Sequence, residues 1–363
     1  REFRLDKNEN PFELPPSPRE EMRKLISGVD LNRYPDPYAT KLRGKLSAKL
    51  NFPQDRIVIG NGGDEILSML FMAYVKPGDR VLTTYPCFSE YSRLCKIFGA
   101  EQHFLPLNFN DNEVSLDIEQ LLDAIARVSP KLILLDNPHN PTGMFIDPAK
   151  LIEVAKLSFC PFVLDEAYVE FAPKSSLDVA NDEMPSNLCI LRTLSKAWGL
   201  AGLRVGYALC SQEIANELLE IKSPFNVNVI SQEIAGMMLE YDEWMKSRVY
   251  SIRFLRDKFI DEVNEIESFY AYPSQSNFVL IRTDLNKDYV RASLKERGIR
   301  VNMLELDIKS FTWMRVSIGK EDELNYVIQT LNLAMTSRTI KRESSRYALK
   351  RGDKEWLRSG KIV

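Results

Sequence analysis

Short runs of apolar, β-branched-rich residues recur between residues 57 and 209: Ile57–Ile59, Val81–Thr83, His103–Leu105, Leu132–Leu135, Phe162–Leu164, Leu188–Leu191 and Tyr207–Leu209. Their apolar character is continuous rather than alternating, as expected of strands buried on both faces. Between them, Asp64–Val75, Ser89–Phe98, Leu116–Val128 and Pro148–Leu157 are long enough to be crossover helices. This strand–helix alternation predicts an α/β domain with a seven-stranded, mostly parallel sheet. A helical stretch follows from about Ser231 to Val263, and the pattern then changes. Asn277–Ile281 and Met314–Ser317 read as strands, with Asp288–Arg297 and Glu321–Met335 as helices, which predicts a smaller α+β domain.

Composition narrows the function classes. The 363 residues are 44% hydrophobic and 27% charged, too long for one core and too apolar for disorder. The net charge of −3 argues against a nucleic-acid partner, and no apolar run reaches the length of a membrane span. Five cysteines without CxxC spacing suit free thiols and a cytoplasmic location, and two histidines leave no material for a multi-histidine metal site. Residues 337–363 hold nine basic and three acidic residues, a net +6 that leaves −9 for residues 1–336. That tail reads as a solvated segment, an amphipathic helix or a docking arm. The chain opens at Arg1 directly into a motif-like segment, as a trimmed or excised piece would, and trimming could have removed a signal peptide.

Candidate chemistry gathers at predicted strand ends. Ile57–Gly60 runs into Asn61-Gly62-Gly63-Asp64, a glycine turn opening a helix, where backbone amides can take a phosphate. The same residues also suit a plain tight turn capped by Asp64. Asp136-Asn137-Pro138-His139-Asn140-Pro141-Thr142-Gly143 follows an apolar strand, where open α/β sheets place their ligands. Asp165 ends the strand Phe162–Leu164 and leads into Glu166-Ala167-Tyr168. A carboxylate buried there needs a cationic partner, which a protonated ring nitrogen would supply. Lys196, in Leu194-Ser195-Lys196-Ala197-Trp198-Gly199, follows another strand among small and apolar residues, with Arg204 nearby. A lone lysine is usually a surface residue, but one desolvated beside a cation is an amine nucleophile. Phosphate turn, asparagine loop, aspartate and lysine in this order describe a pyridoxal 5′-phosphate site.

From about Leu5 to Leu333 the chain resembles fold-type-I aminotransferases of the aspartate aminotransferase superfamily, and most closely the histidinol-phosphate aminotransferase branch. The resemblance rests on Leu5-Asp6-Lys7-Asn8-Glu9-Asn10-Pro11-Phe12, Asn32-Arg33-Tyr34-Pro35-Asp36-Pro37, Gly60–Glu65, Ser223-Pro224-Phe225-Asn226-Val227-Asn228 and Met314–Gly319. It implies that Lys196 forms the Schiff base and shuttles the proton, Asp165 pairs with the pyridinium, and Tyr168 and Asn140 bond the ring hydroxyl. Phe88 would stack on the ring. Gly63, Asp64, Thr193, Ser195 and Arg204 would grip the phosphate, with Tyr34 reaching in from a homodimer partner. Arg315 would fork a substrate carboxylate, with Asn8 beside it. The implied domains are a cofactor-binding domain over 31–230 and a small domain over 1–30 and 231–336.

The expected activity is ping-pong transfer between a small amino donor and an oxo acceptor, one of them bearing phosphate or phosphonate. Competing readings are a 2-aminoethylphosphonate transaminase domain of a nucleotidylyltransferase fusion in phosphonate biosynthesis, a threonine-phosphate decarboxylase, and a sensor that binds the cofactor without turnover. Two departures stand out. His139 replaces the usual asparagine of the loop and reads as structural, and only seven residues precede Asn8, so the family's N-terminal arm is expected to be missing or cut away.

Overall fold

A computed structural model describes residues 2–180 and 184–336. The basic tail, 337–363, lies outside the described residues. The strands are β1 (Phe3–Leu5), β2 (Ile57–Gly60), β3 (Arg80–Tyr85), β4 (Glu101–Pro106), β5 (Asn108–Phe109), β6 (Val114–Ser115), β7 (Leu132–Asp136), β8 (Phe162–Asp165), β9 (Leu188–Thr193), β10 (Gly206–Cys210), β11 (Phe269–Ala271), β12 (Phe278–Thr283), β13 (Ile299–Leu304) and β14 (Thr312–Ser317).

The seven expected strands all enter one seven-stranded sheet, ordered β2-β10-β9-β8-β7-β3-β4. Only β10 runs antiparallel to its neighbours. Successive strand residues feed two cores, which explains the unbroken apolar runs. Val58, Leu134, Val163, Leu191 and Ala208 pack with helices Gly63–Tyr74, Ser89–Phe98 and Gln212–Ile221 on one face. Ile57, Ile133, Leu135, Leu164 and Ile190 pack on the other with helices Ile118–Val128 and Pro148–Leu157 and with the remainder of the molecule. Those last two helices start where Asp117 and Asp147 accept the free first-turn amides.

A second, five-stranded sheet is ordered β1-β13-β14-β12-β11. Sequence patterning anticipates only β12 and β14. Of the other three, β1 pairs with β13 from the opposite end of the chain, β11 is only three residues long, and β13 is mostly half-buried, so its pattern is blurred. The stretch expected to be helical over 231–263 is two helices, Val229–Met238 and Asp242–Asn264. The break is held by the helix Thr40–Leu50, whose Lys45 bonds Glu240 at 2.6 Å and whose Lys49 pairs with Asp242.

In the large sheet, β3 connects outward to β4, while the chain from β7 onward steps the other way. The crevice at such a reversal, beyond the strands' carboxyl ends, is where open α/β sheets bind ligands. One close contact fixes the glycine turn over this edge. A Cβ on Gly206 would meet the Gly63 nitrogen at 2.5 Å and the Gly62 carbonyl carbon at 2.6 Å, both backbone atoms that cannot swing away. Gly206→Ala is therefore expected to destabilise the protein by about 1–3 kcal/mol, read as a lower urea midpoint; an unchanged midpoint contradicts the contact.

Candidate active site

A cavity of about 290 Å³ opens at the carboxyl ends of β2, β7, β8 and β9. Of the site residues expected from sequence, all but Tyr34 line it. Gly63, Asp64, Thr193, Ser195 and Arg204 stand at one end. The helix Gly63–Tyr74 is capped by Gly62, at φ 85°, which has no side chain to offer its first amides. Asp64 does not cap it; its carboxylate accepts from Arg204 Nη2 at 3.0 Å. Thr193 and Ser195 bond each other at 2.9 Å, and Arg204 Nη1 reaches Ser195 Oγ at 3.5 Å. A Cβ at Gly62 would meet Arg204 Nη2 at 2.4 Å, so the turn and the guanidinium form a cradle that only glycine leaves open.

Asn8 with Tyr168 and Arg315 with Asn140 form two buried hydrogen-bonded pairs. Asn8, at φ 54°, donates from Nδ2 to the Tyr168 hydroxyl at 2.9 Å, and its backbone nitrogen donates to Ser317 Oγ at 2.8 Å. Arg315 Nη1 donates to Asn140 Oδ1 at 2.6 Å, which leaves the Asn140 amide nitrogen free as a donor, and Nη2 donates to the Asp6 carbonyl at 2.8 Å. The buried Nε of Arg315 has no partner. Burial holds the Tyr168 hydroxyl neutral, its pKa pushed up to about 12.

Lys196 is half-buried. Its Nζ donates to the Lys7 carbonyl at 2.9 Å and lies 5.6 Å from the centre of the Tyr168 ring. Burial and then the Arg315 charge lower its pKa to about 8. Asp165 accepts from the Ala167 amide at 3.0 Å, and burial pushes its carboxyl up to about 6. Phe88 enters from the loop after β3, edge-on to Tyr91 at 5.6 Å.

His139 does not line the cavity. Its ring is buried between Thr84 Oγ1 at 2.9 Å and Thr142 Oγ1 at 2.8 Å, and burial lowers its pKa to about 3. It is therefore a neutral brace of the Asn-Pro loop. Tyr34 lies apart, 81% exposed and stacked on Phe225 at 4.4 Å.

Asp136 and Tyr91 carry no assignment from the sequence, yet Asp136 lines the cavity and Tyr91 bonds both Asp136 and Asp165. Asp136 reads in sequence as the opening letter of the loop motif, and Tyr91 as an ordinary core position of an amphipathic helix. The usable signal was an aspartate closing a wholly apolar strand.

The sheet order and this strand-end site define a fold-type-I, pyridoxal 5′-phosphate-dependent enzyme. The sequence model of the family Aminotransferase class I and II matches residues 2–331. The chain is 38% identical over 330 residues to the histidinol-phosphate aminotransferase of Caldanaerobacter subterraneus subsp. tengcongensis, covering 91% of this chain and 92% of that protein. The crystal structure of histidinol-phosphate aminotransferase from Sinorhizobium meliloti in complex with pyridoxal-5′-phosphate superposes with a TM-score of 0.83 at 26% identity, over 92% of this chain and 91% of that one. That from Clostridium acetobutylicum gives 0.82 at 25% identity, over 92% and 99%. The chain belongs to the class I and II aminotransferases.

The cavity's residues fit the cofactor: an open cradle with a guanidinium for phosphate, a lysine amine, and buried carboxyls without a cation. In the apoprotein, carbamylation of Lys196 by cyanate should rise with pH through a midpoint near 8, because only the neutral amine reacts. Arg315→Ala removes a like charge and should move that midpoint up. Peptide mass spectrometry reads both, and a midpoint near the ordinary lysine value of about 10.4 contradicts the assignment.

Proposed function

We propose that the enzyme moves an amino group between a small phosphate-bearing amine of the histidinol phosphate type and an oxo acid. The observation that carries this reading is that the cavity holding Lys196 has two cationic groups for anions, Arg204 at the Gly62–Asp64 cradle for the cofactor's phosphate and Arg315 for an anionic substrate group. The relatives' activity supports it at 38% identity. Bound pyridoxal 5′-phosphate supplies an electron sink that makes the substrate's Cα–H acidic.

The chain's own residues do the rest. Gly63, Asp64, Thr193, Ser195 and Arg204 bind the phosphate through amides, hydroxyls and guanidinium. Phe88 covers the ring, and Asp165 meets its nitrogen. Asn140, turned by Arg315, offers its amide to the ring hydroxyl alongside Tyr168. Lys196 Nζ, with its lowered pKa, takes and returns the proton at Cα near neutral pH. Arg315 holds a carboxylate, with Asn8 fixing the wall beside it.

Tyr34 and Phe225 form an exposed aromatic pair, which supports a homodimer in which Tyr34 completes the partner's phosphate site. Residues 31–230 would then be the cofactor domain, with 1–30 and 231–336 the small domain that carries Asn8 and Arg315. A cytoplasmic location accords with the five free thiols, and among the described residues no helix is long and apolar enough to cross a membrane.

Mixing cofactor-loaded enzyme with histidinol phosphate should bleach the cofactor's visible absorbance, and glutamate should serve as a second donor. Lys196→Ala should slow the change by roughly 10²–10⁴-fold. Bleaching by 2-aminoethylphosphonate but not histidinol phosphate, or carbon dioxide release from phosphothreonine, would replace the substrate reading. Undiminished turnover in the variant would overturn the role of Lys196.

A further inference from the structure

Asp136 and Asp165 close adjacent parallel strands and stand opposite each other in register. Both carboxyls line the cavity, yet the residues are only 5% and 7% exposed. Between them lies the hydroxyl of Tyr91, itself 1% exposed, which bonds Asp136 Oδ1 and stands 3.1 Å from Asp165 Oδ2. Each remaining oxygen meets one backbone amide: Asn140 nitrogen at 3.2 Å on Asp136 Oδ2, and Ala167 nitrogen at 3.0 Å on Asp165 Oδ1.

Four of the five cations that line the cavity are engaged elsewhere, and the fifth, Lys7, forms no ion pair with either aspartate. Arg192 pairs with Glu166 and Arg204 with Asp64, so the nearest further carboxylates already have cations. Lys196 and Arg315 donate to backbone and amide oxygens. The Cys87 thiol beside Asp136 stays neutral, pushed up to about 11 by burial and by that carboxylate.

A tyrosine hydroxyl carries one proton and can donate to only one of the two acids. With both ionised, the other carboxylate oxygen would face the hydroxyl's lone pair without a counter-ion. One proton on the pair removes that conflict. Electrostatics agrees: burial raises Asp165 to about 6, and burial and then the Asp165 charge raise Asp136 well above the ordinary carboxylate value.

We infer that Asp136 is a positioning residue of the cofactor site: with Tyr91 and Asp165 it forms a carboxyl pair that holds one shared proton in the apoprotein and gives it up when the cofactor's ring binds. The step balances. A neutral ring takes the proton, so that a carboxyl O–H breaks as a pyridinium N–H forms; a ring that arrives protonated sends the pair's proton to water. Either way the doubly ionised pair faces one cationic ring. The inference rests on the pyridoxal phosphate reading of this cavity.

The test is calorimetric titration of apoprotein with pyridoxamine 5′-phosphate, which binds without bonding to Lys196, in neutral buffers of differing ionisation enthalpy. Wild type and Asp136→Asn should differ by about one in protons released on binding, whichever protonation state the free ligand has. Equal proton numbers overturn the inference and leave the cofactor site standing, whereas absence of binding to wild type overturns the site itself. Should Asp136→Asn fail to fold, infrared difference spectroscopy of the wild-type apoprotein decides. A carboxylic-acid C=O band that disappears on adding pyridoxamine 5′-phosphate supports the pair, and its absence overturns it. A merely structural Asp136 would move neither readout.

Discussion

Negative charge buried at two neighbouring strand ends is the constraint around which this molecule is arranged. An ionised carboxylate taken out of water costs several kcal/mol unless a cation or a proton meets it. Asp136 and Asp165 have neither lysine nor arginine as an ion-pair partner among the described residues, although five cationic side chains line the same cavity. Arg192, Lys196, Arg204 and Arg315 are each turned to another acceptor, and Lys7 forms no ion pair with either aspartate. The cavity is thereby polarised, with an acidic floor at β7 and β8 and a basic cradle at the glycine turn. A ligand with a cationic ring and an anionic phosphate matches both ends, which is the charge distribution of pyridoxal 5′-phosphate.

The fold supplies this polarity by position alone. Parallel strands deliver the loops after β2, β3, β7, β8 and β9 to one edge, so the phosphate turn, Phe88, Asn140, Asp165 and Lys196 converge without any of them being neighbours in sequence. Gly206 seats the phosphate turn against an antiparallel strand, and the β1–β13–β14 side of the second sheet brings Asn8 and Arg315 to the opposite wall. Lys196 contacts both parts through the Lys7 carbonyl. Its lowered pKa follows from burial and the charge of Arg315, so the reactivity of one residue depends on the docking of both sheets.

Legibility in the sequence followed burial. The large sheet could be read because both of its faces are covered and its strands are continuous apolar runs. Site residues could be read where a polar side chain interrupts such a run at its carboxyl end, as Asp165 and Lys196 do. β1, β11 and β13 were not legible, since two strands of three residues are too short to show a period and a half-buried one blurs it. Nor was the break between Met238 and Asp242, which depends on ion pairs to another helix. Asp136 was visible as a residue but not as a partner of Asp165, because register between strands 29 positions apart appears only in three dimensions.

The central claim is that buried carboxylate and cationic ring are held together by mutual charge. Fluorescence titration of apoprotein with pyridoxal 5′-phosphate, comparing wild type with Asp165→Asn, tests it most directly. The account predicts that the variant binds roughly 10²–10³-fold more weakly, the cost of leaving one partner of a buried pair uncompensated. An unchanged dissociation constant in a folded variant would contradict it.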